Sequence, residues 1–120
     1  MIYIVDDDQY VRDGFMILLK SAGYCSTIFK SAVEFLKSYV PGEKDLLILD
    51  MNMPVMNGCA LLKNLAEKEI KLPVIIITAY DDQVTRACAK EYGALEYFRK
   101  PVDSEALIDV LKYCFSKETI

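Results

Sequence analysis

The sequence contains no histidine. This absence excludes imidazole metal ligands, Ser-His-Asp triads and histidine general bases as the source of any activity. The chain also lacks an apolar run near the roughly 18 residues that a transmembrane helix requires. Because Met1 leads within a few residues into a run of aspartates, we expect no signal peptide, no membrane partner and a cytoplasmic location.

Cysteine and glycine are present but lack the patterns that give them chemistry. No two of the four cysteines form a Cys-x-x-Cys pair, so a zinc centre or a thioredoxin-type motif has no support. We predict four reduced, mostly buried thiols. The five glycines form neither a Gly-x-Gly-x-x-Gly nor a Walker pattern. The cysteines are Cys25, Cys59, Cys88 and Cys114.

Size and charge indicate one globular domain. The chain has 120 residues, of which 53% are hydrophobic and 27% are charged, and its formal net charge is −4. This composition is typical of a folded domain, and the acidic balance argues against direct binding to nucleic acid. We predict a single domain over residues 1–120 with no output domain in the chain.

Short apolar runs alternate with segments of helical periodicity. Five runs are expected to form strands buried on both faces, as in a parallel sheet: 2–5, 25–29, 46–49, 74–78 and 95–98. The alternation predicts an α/β protein, a flavodoxin-like (βα)5 sandwich with helices on both faces. The sheet order expected for this fold is 2-1-3-4-5.

The helical segments carry apolar stripes that would face the sheet. Gly23 and Gly93 stand where the first and fourth helices are expected to end. In chain order the stripes are Val11, Phe15, Leu18, Leu19 and Ala22; Val33, Leu36 and Val40; Leu61, Leu62, Leu65 and Ala66; Val84, Ala87, Cys88 and Tyr92; and Leu107, Val110, Leu111, Cys114 and Phe115.

Polar side chains follow the predicted strands at the edge where parallel sheets bind ligands. Three carboxylates that converge there repel each other and need a cation, and an all-oxygen set suits Mg²⁺. Each residue taken alone has an ordinary explanation, such as the helix cap that we predict for Asp8. Their shared position at strand ends favours a metal-assisted phosphoryl site, in which a carboxylate is the nucleophile and no proton-transfer base is needed. The residues are Asp6, Asp7, Asp8, Asp50, Thr78 and Lys100.

Four motifs at these positions resemble the receiver domain of two-component response regulators. They are IYIVDDD at 2–8, LLILDMNMPVMNG at 46–58, ITA at 77–79 and YFRKP at 97–101. The resemblance extends over the whole chain. It implies that Asp50 accepts a phosphoryl group from a phosphohistidine of a sensor histidine kinase or phosphotransfer protein. It also implies a signalling phosphoprotein that catalyses only its own phosphorylation and dephosphorylation.

The same resemblance implies roles for the neighbouring residues. Thr78 and Lys100 would contact the phosphoryl oxygens. The expected cofactor is Mg²⁺, with Mn²⁺ or Ca²⁺ as substitutes. Its ligands would be Asp6, Asp7, Asp50 and the main-chain carbonyl of Asn52.

Two further features follow from the resemblance. Tyr97 matches an aromatic switch position that responds when Thr78 moves toward the phosphate, and the Lys100–Pro101 peptide bond is expected to be cis. Asn52 and Tyr80 would flank the path of the hydrolytic water. Tyr80 is bulky where the chemotaxis regulator carries a small acid, so we predict that it shields the phosphate; a surface tyrosine on a mobile loop is the alternative.

The expected signalling surface is the face formed by the fourth helix, the fifth strand and the fifth helix. It would control an output, with transcription as one candidate, and support a phosphorylation-dependent homodimer. The segment around Tyr97 looks closer to regulators of the nitrogen-fixation type or to receivers fused to kinases. The polar residues of this face, which would also suit a solvated surface, are Arg86, Lys90, Glu91, Tyr97, Arg99, Asp103 and Lys112.

Three other functions compete with this interpretation. A pseudo-receiver would bind a partner without phosphorylation. A flavodoxin-like electron carrier would need a flavin phosphate beside the three aspartates that follow the first strand, and these would repel it. A Mg²⁺-dependent phosphatase would want a second aspartate as general acid at position 52, which is Asn52.

Overall fold

Strands and helices alternate five times along residues 1–116, the part of the chain that the computed structural model describes. The last four residues of the predicted domain, 117–120, lie outside it. No helix within 1–116 is long and apolar enough to cross a membrane. The elements are β1 (Ile2–Val5), α1 (Gln9–Ser21), β2 (Ser26–Phe29), α2 (Ala32–Ser38), β3 (Leu46–Asp50), α3 (Gly58–Glu67), β4 (Val74–Thr78), α4 (Gln83–Glu91), β5 (Glu96–Arg99) and α5 (Ser104–Ser116).

The five strands form one parallel sheet in the order β2-β1-β3-β4-β5, which confirms the predicted fold class and strand order. Every residue of the central strands β3 and β4 is buried, because helices cover both faces of the sheet. The edge strand β5 is only partly buried. It begins one residue after the apolar run that predicted it, since Leu95 precedes the strand and donates its N–H to Val74 O.

Successive strand residues point to opposite faces and build two cores. On one face, Leu47 and Leu49 belong to a cluster with residues of α2, α3 and α4. On the other face, Leu46 and Ile48 belong to a cluster with residues of α1 and α5. Because α3 and α4 lie on the same face of the sheet, their side chains can contact each other.

Side-chain caps fix where the helices begin. Asp8 accepts the N–H groups of Tyr10 and Val11, which confirms its predicted role as the cap of α1. Three further caps accept the N–H three residues further on: Ser31 for α2, Asn57 for α3 and Asp82 for α4. Asp103 accepts the N–H groups of Glu105 and Ala106 at the start of α5. Each cap places its helix at a fixed distance after the preceding strand.

The predicted inward stripes were wrong in part. Ala22 and Ala66, the last residues of the first and third stripes, are exposed, and the second and fourth stripes differ more. The second helix ends at Ser38, and Val40 is 77% exposed beyond it, because the Tyr39 ring packs on Phe35 instead. In α4, Val84 is 79% exposed and the buried residues are Thr85, Cys88 and Ala89. The small residues at this i, i+3, i+4 spacing let the helix lie close to its neighbours.

The prediction of four reduced thiols was also wrong. Cys59 and Cys88 form a disulfide with a Cα–Cα distance of 6.1 Å, and the bond joins α3 to α4. Cys25 is exposed rather than buried. The two bonded cysteines are 29 residues apart in the sequence, and only the adjacency of α3 and α4 on one face of the sheet brings them together.

Candidate functional site

The carboxyl ends of β1 and β3 place three aspartates in one pocket. Asp6 directly follows β1 and Asp50 ends β3, and these strands are neighbours paired through Val5 and Leu49. Asp6 is 0% exposed and Asp50 is 1% exposed, whereas Asp7 is exposed. One carboxylate oxygen from each of the three lies within 4.8 Å of the others.

Lys100 brings a positive charge to this pocket from the end of β5. Its Nζ lies 2.9 Å from Asp6 Oδ2 and 3.5 Å from Asp50 Oδ2. Its backbone N–H donates to Thr78 O, and the Lys100–Pro101 peptide bond is cis. Burial lowers the pKa of the Lys100 ammonium, but the two carboxylates outweigh this effect and leave the pKa raised.

Asp50 is a buried carboxylate that ionises near neutral pH. Burial raises its pKa, the N–H of Asn52 lowers it by donating to Oδ1 at 3.1 Å, and the charge of Asp6 raises it further. The result is a pKa of about 6, against an ordinary value of 3.8. At neutral pH the Asp50 carboxylate is therefore mostly ionised. Because it is buried, few water molecules can bind to its oxygens.

The chemistry of this donor set fits a hard divalent cation. Asp6 Oδ1 accepts the N–H of Asp8 at 2.9 Å. Asp6 Oδ2 is buried and, among residues 1–116, has an ion pair with Lys100 but no aligned hydrogen bond. This buried oxygen, grouped with the buried carboxylate of Asp50 and the exposed carboxylate of Asp7, is suited to Mg²⁺ with its remaining positions filled by water.

A residue that the sequence analysis did not single out supports this pocket. Arg12 Nη1 donates to the main-chain oxygen of Asp6 at 2.8 Å. The contact fixes the backbone at the end of β1, from which the aspartates project. Arg12 lies in the first turns of α1, where an arginine ordinarily indicates a solvated surface, so the sequence carried no signal for this role.

Thr78 joins the two loops that border the pocket. Its side chain is fully buried, and its Oγ1 lies 2.6 Å from Asn52 Oδ1 and 2.9 Å from Tyr80 O and accepts the N–H of Tyr80 at 3.1 Å. Asn52 belongs to the β3–α3 loop and Tyr80 to the β4–α4 loop. Tyr80 is 66% exposed.

Tyr97 lies in a separate group of side chains beside the pocket. Its hydroxyl donates to Asp81 Oδ1 at 3.2 Å, and the guanidinium of Arg86 lies 5.1 Å from its ring centroid. Arg86 Nη2 in turn donates to Asp81 Oδ2 at 2.7 Å. We call these three residues the surface network. Asp81 was missed in the sequence, because its five-residue separation from Arg86 matches no regular helical pair.

The fold and site define a class of protein. The response regulator receiver domain matches residues 2–112, and the chain belongs to this family. Receiver domains act in two-component signalling, so this chain is a signalling domain.

Individual relatives are regulators longer than this chain. It is 34% identical over 116 residues to the DNA-binding transcriptional regulator NtrC of Escherichia coli K12, covering 97% of this chain and 25% of NtrC. It is 32% identical over 111 residues to the transcriptional regulatory protein FixJ of Azorhizobium caulinodans, covering 92% of this chain and 53% of FixJ. The chain thus spans about a quarter to a half of these relatives.

Solved structures agree with this assignment. The response regulator StyR superposes with a TM-score of 0.88 at 35% identity, over 98% of this chain and 60% of that one. The crystal structure of FixJ-N superposes with a TM-score of 0.85 at 29% identity, over 99% of this chain and 94% of that one.

Proposed function

We propose that Asp50 accepts a phosphoryl group from a phosphohistidine of a sensor histidine kinase or phosphotransfer protein. The observation that carries the proposal is the buried, ionisable carboxylate of Asp50 beside two further aspartates, with Lys100 Nζ at 3.5 Å. NtrC and FixJ are named as transcriptional regulators, which favours transcription as the output of this chain.

The chain's own residues account for the transfer. As an oxygen of Asp50 attacks phosphorus, the bond between phosphorus and the donor imidazole nitrogen breaks, and the histidine leaves with the electron pair. The ammonium of Lys100 pairs with the phosphoryl oxygens, and the Thr78 hydroxyl donates to one of them once it turns from Asn52. Asp6, Asp7, Asp50 and the carbonyl of Asn52 would hold Mg²⁺, which neutralises charge on the transferring group when bound.

We further propose that phosphorylation of Asp50 changes the protein surface through Thr78 and Tyr97. Thr78 ends β4, and Tyr97 lies on the paired strand β5. For the Tyr97 ring to turn inward, its hydrogen bond to Asp81 and its contact with Arg86 must break. The α4–β5–α5 face then changes, and a second copy of the chain or an output domain reads the change.

Tyr80 and Asn52 are proposed to set the lifetime of the aspartyl phosphate. The Asn52 side chain and the Tyr80 backbone both contact the Thr78 hydroxyl. The Tyr80 ring would restrict the approach of water to phosphorus, and the Asn52 amide would orient what water does enter.

Intact mass after incubation with Mg²⁺ and acetyl phosphate tests the phosphoryl site. We expect one added phosphoryl group on the wild type, none on Asp50→Asn, and none after a chelator is added. Asp109→Asn, which alters an exposed aspartate on α5, is the matched control and should react like the wild type. Phosphate that persists on Asp50→Asn would mean that another group is the nucleophile. No addition to the wild type with Mg²⁺ bound would favour the phosphorylation-independent interaction module.

A further inference from the structure

The disulfide between Cys59 and Cys88 joins the two helices that follow the two loops of the pocket. The β3–α3 loop leads from Asp50 to α3, whose second residue is Cys59. The β4–α4 loop leads from Thr78 to α4, in which Cys88 is buried at 4% exposure. The covalent bond therefore spans the same two chain segments as the 2.6 Å contact between Thr78 Oγ1 and Asn52 Oδ1.

Of the two helices that the disulfide joins, α4 buries less apolar side-chain area than α3. The third helix buries Leu61, Leu62 and Leu65 in the core. The fourth helix buries Thr85, Cys88 and Ala89, which offer little apolar area, and its Val84 is 79% exposed. The disulfide therefore adds a covalent link to a helix that buries little apolar side-chain area.

We propose that Cys59 and Cys88 form a redox-controlled cross-link that limits how far α4 can respond to phosphorylation. The inference rests on the proposed function for its consequence, but the cross-link itself does not. Intracellular disulfides are mostly transient or redox-sensing, and this one lies between two helices rather than at a chain end or a surface loop.

The exchange partner is a dithiol reductant and, in the reverse direction, its disulfide form. A reductant thiolate attacks Sγ of Cys59, which is half-buried, while Cys88 lies deeper. The Cys59–Cys88 bond breaks, and Cys88 leaves as a thiolate that takes up a proton. The second reductant thiol then attacks the mixed disulfide, Cys59 leaves, and the reductant holds the new disulfide. Two electrons pass from the dithiol to the protein.

The first arm of the test asks whether the bond exists and holds the fold. Peptide mapping without reduction should recover residues 59 and 88 in one linked peptide, and a dithiol should separate them. Reduction, or the variant Cys59→Ser, should lower the melting temperature by roughly 10 °C, as expected for a closed loop of this size. Cys25→Ser, at an exposed cysteine outside the bond, is the matched control. Failure of residues 59 and 88 to link after treatment with an oxidised dithiol would overturn the proposal.

The second arm measures amide hydrogen exchange along α4, with and without Mg²⁺ and acetyl phosphate. In the oxidised protein we expect exchange in α4 to stay slow after phosphorylation, while in reduced protein or Cys59→Ser it should rise severalfold. Equal responses in both redox forms would overturn the proposal. Intact mass on the same samples reports phosphorylation separately. If no phosphoryl group is added, the proposed function fails, and the cross-link then stands or falls on whether reduction alone speeds exchange in α4.

Discussion

Two groups of charged and polar residues lie at the same edge of the sheet and differ in how far they are buried. The acidic pocket consists of Asp6, Asp7, Asp50, Thr78 and Lys100, and its aspartates and threonine are, apart from Asp7, at most 1% exposed. The surface network of Asp81, Arg86 and Tyr97 is exposed or half-buried. In the pocket, burial and the neighbouring carboxylates raise the pKa of Asp50. In the surface network, the charges of Asp81 and Arg86 form an exposed ion pair.

This difference separates the two tasks of a signalling domain. The buried side chains of the pocket, Asp6, Asp50 and Thr78, project from strand ends that the sheet holds in place. The network depends on rotamers of exposed side chains, which reorient on a much faster timescale and at small free-energy differences. The proposed phosphoryl transfer requires fixed side chains, and the proposed switch surface requires adaptable ones.

The largest expected effect lies in the backbone behind the pocket. A Cβ at Gly58 would lie 2.5 Å from Met51 Sδ, 2.8 Å from Met51 Cα and 2.9 Å from Asp50 O. Because two of these atoms are backbone, Gly58→Ala should lower the free energy of unfolding by about 2–3 kcal/mol and misplace Asp50. Urea denaturation measures the first effect, and the rate of phosphoryl addition measures the second.

Gly14 provides the control for this variant. It lies inside α1, and a Cβ added there would meet no atom of the described residues within 4 Å beyond its own helix backbone and chain neighbours. Gly14→Ala should therefore stabilise the protein by about 0.5–1 kcal/mol. Equal effects of the two substitutions would show that the backbone behind Asp50 can give way, and the contrast between a rigid pocket and an adaptable surface would weaken.

The pocket was largely predictable from sequence, because its residues are tied to strand ends. Apolar runs locate β3 and β4, and the expected strand order puts Asp6 beside Asp50. The stripe of α4 was not predictable in the same way. Hydropathy favours Val84, but the helix turns Thr85 and Ala89 inward, where small side chains allow close packing.

The disulfide and the surface network could not be predicted from the sequence for a related reason. Cys59 and Cys88 become neighbours only when two helices share one face of the sheet. The contacts of Asp81 with Arg86 and Tyr97 depend on the path of the loop before α4 and on the rotamers of exposed side chains. Neither periodicity nor spacing carries such information.

The second effect concerns the charge of Asp50. Its folded pKa of about 6 lies above the ordinary 3.8, so its contribution to stability is fully present below about pH 3.8 and is lost as the pH rises through about 6. Without Mg²⁺ at pH 8, Asp50→Asn should therefore be more stable than wild type by about 2 kcal/mol, and the advantage should vanish at pH 4. Thermal melts across this range, with Asp109→Asn as control, measure it. An advantage that persists at pH 4 would have another origin.

The third effect is kinetic and lies at the boundary between the two regions. Tyr80 is 66% exposed, yet its backbone holds the Thr78 hydroxyl through two contacts. Tyr80→Glu keeps those backbone contacts and removes the ring, so we expect the aspartyl phosphate to hydrolyse several times faster while stability stays unchanged. Loss of phosphate is followed by intact mass after removal of the donor, with Tyr80→Phe as the control that keeps the ring. An unchanged lifetime would leave Tyr80 as an ordinary surface residue.

The smallest effect on stability is expected in the surface network, where substitutions should instead shift the pKa of Tyr97. Burial raises the pKa of the Tyr97 phenol, the hydrogen bond and charge of Asp81 raise it further, and Arg86 lowers it. Asp81→Asn should therefore lower the Tyr97 pKa, whereas Arg86→Gln should raise it, although the two substitutions break the same exposed ion pair. Stability should change little in either variant, because exposed pairs contribute little. Carbon-13 tyrosine spectra titrated with pH, assigned with Tyr97→Phe, measure both shifts. Shifts in the same direction would mean that Tyr97 responds to loss of packing rather than to the two charges, and the network would then be a structural cluster and not an electrostatic one.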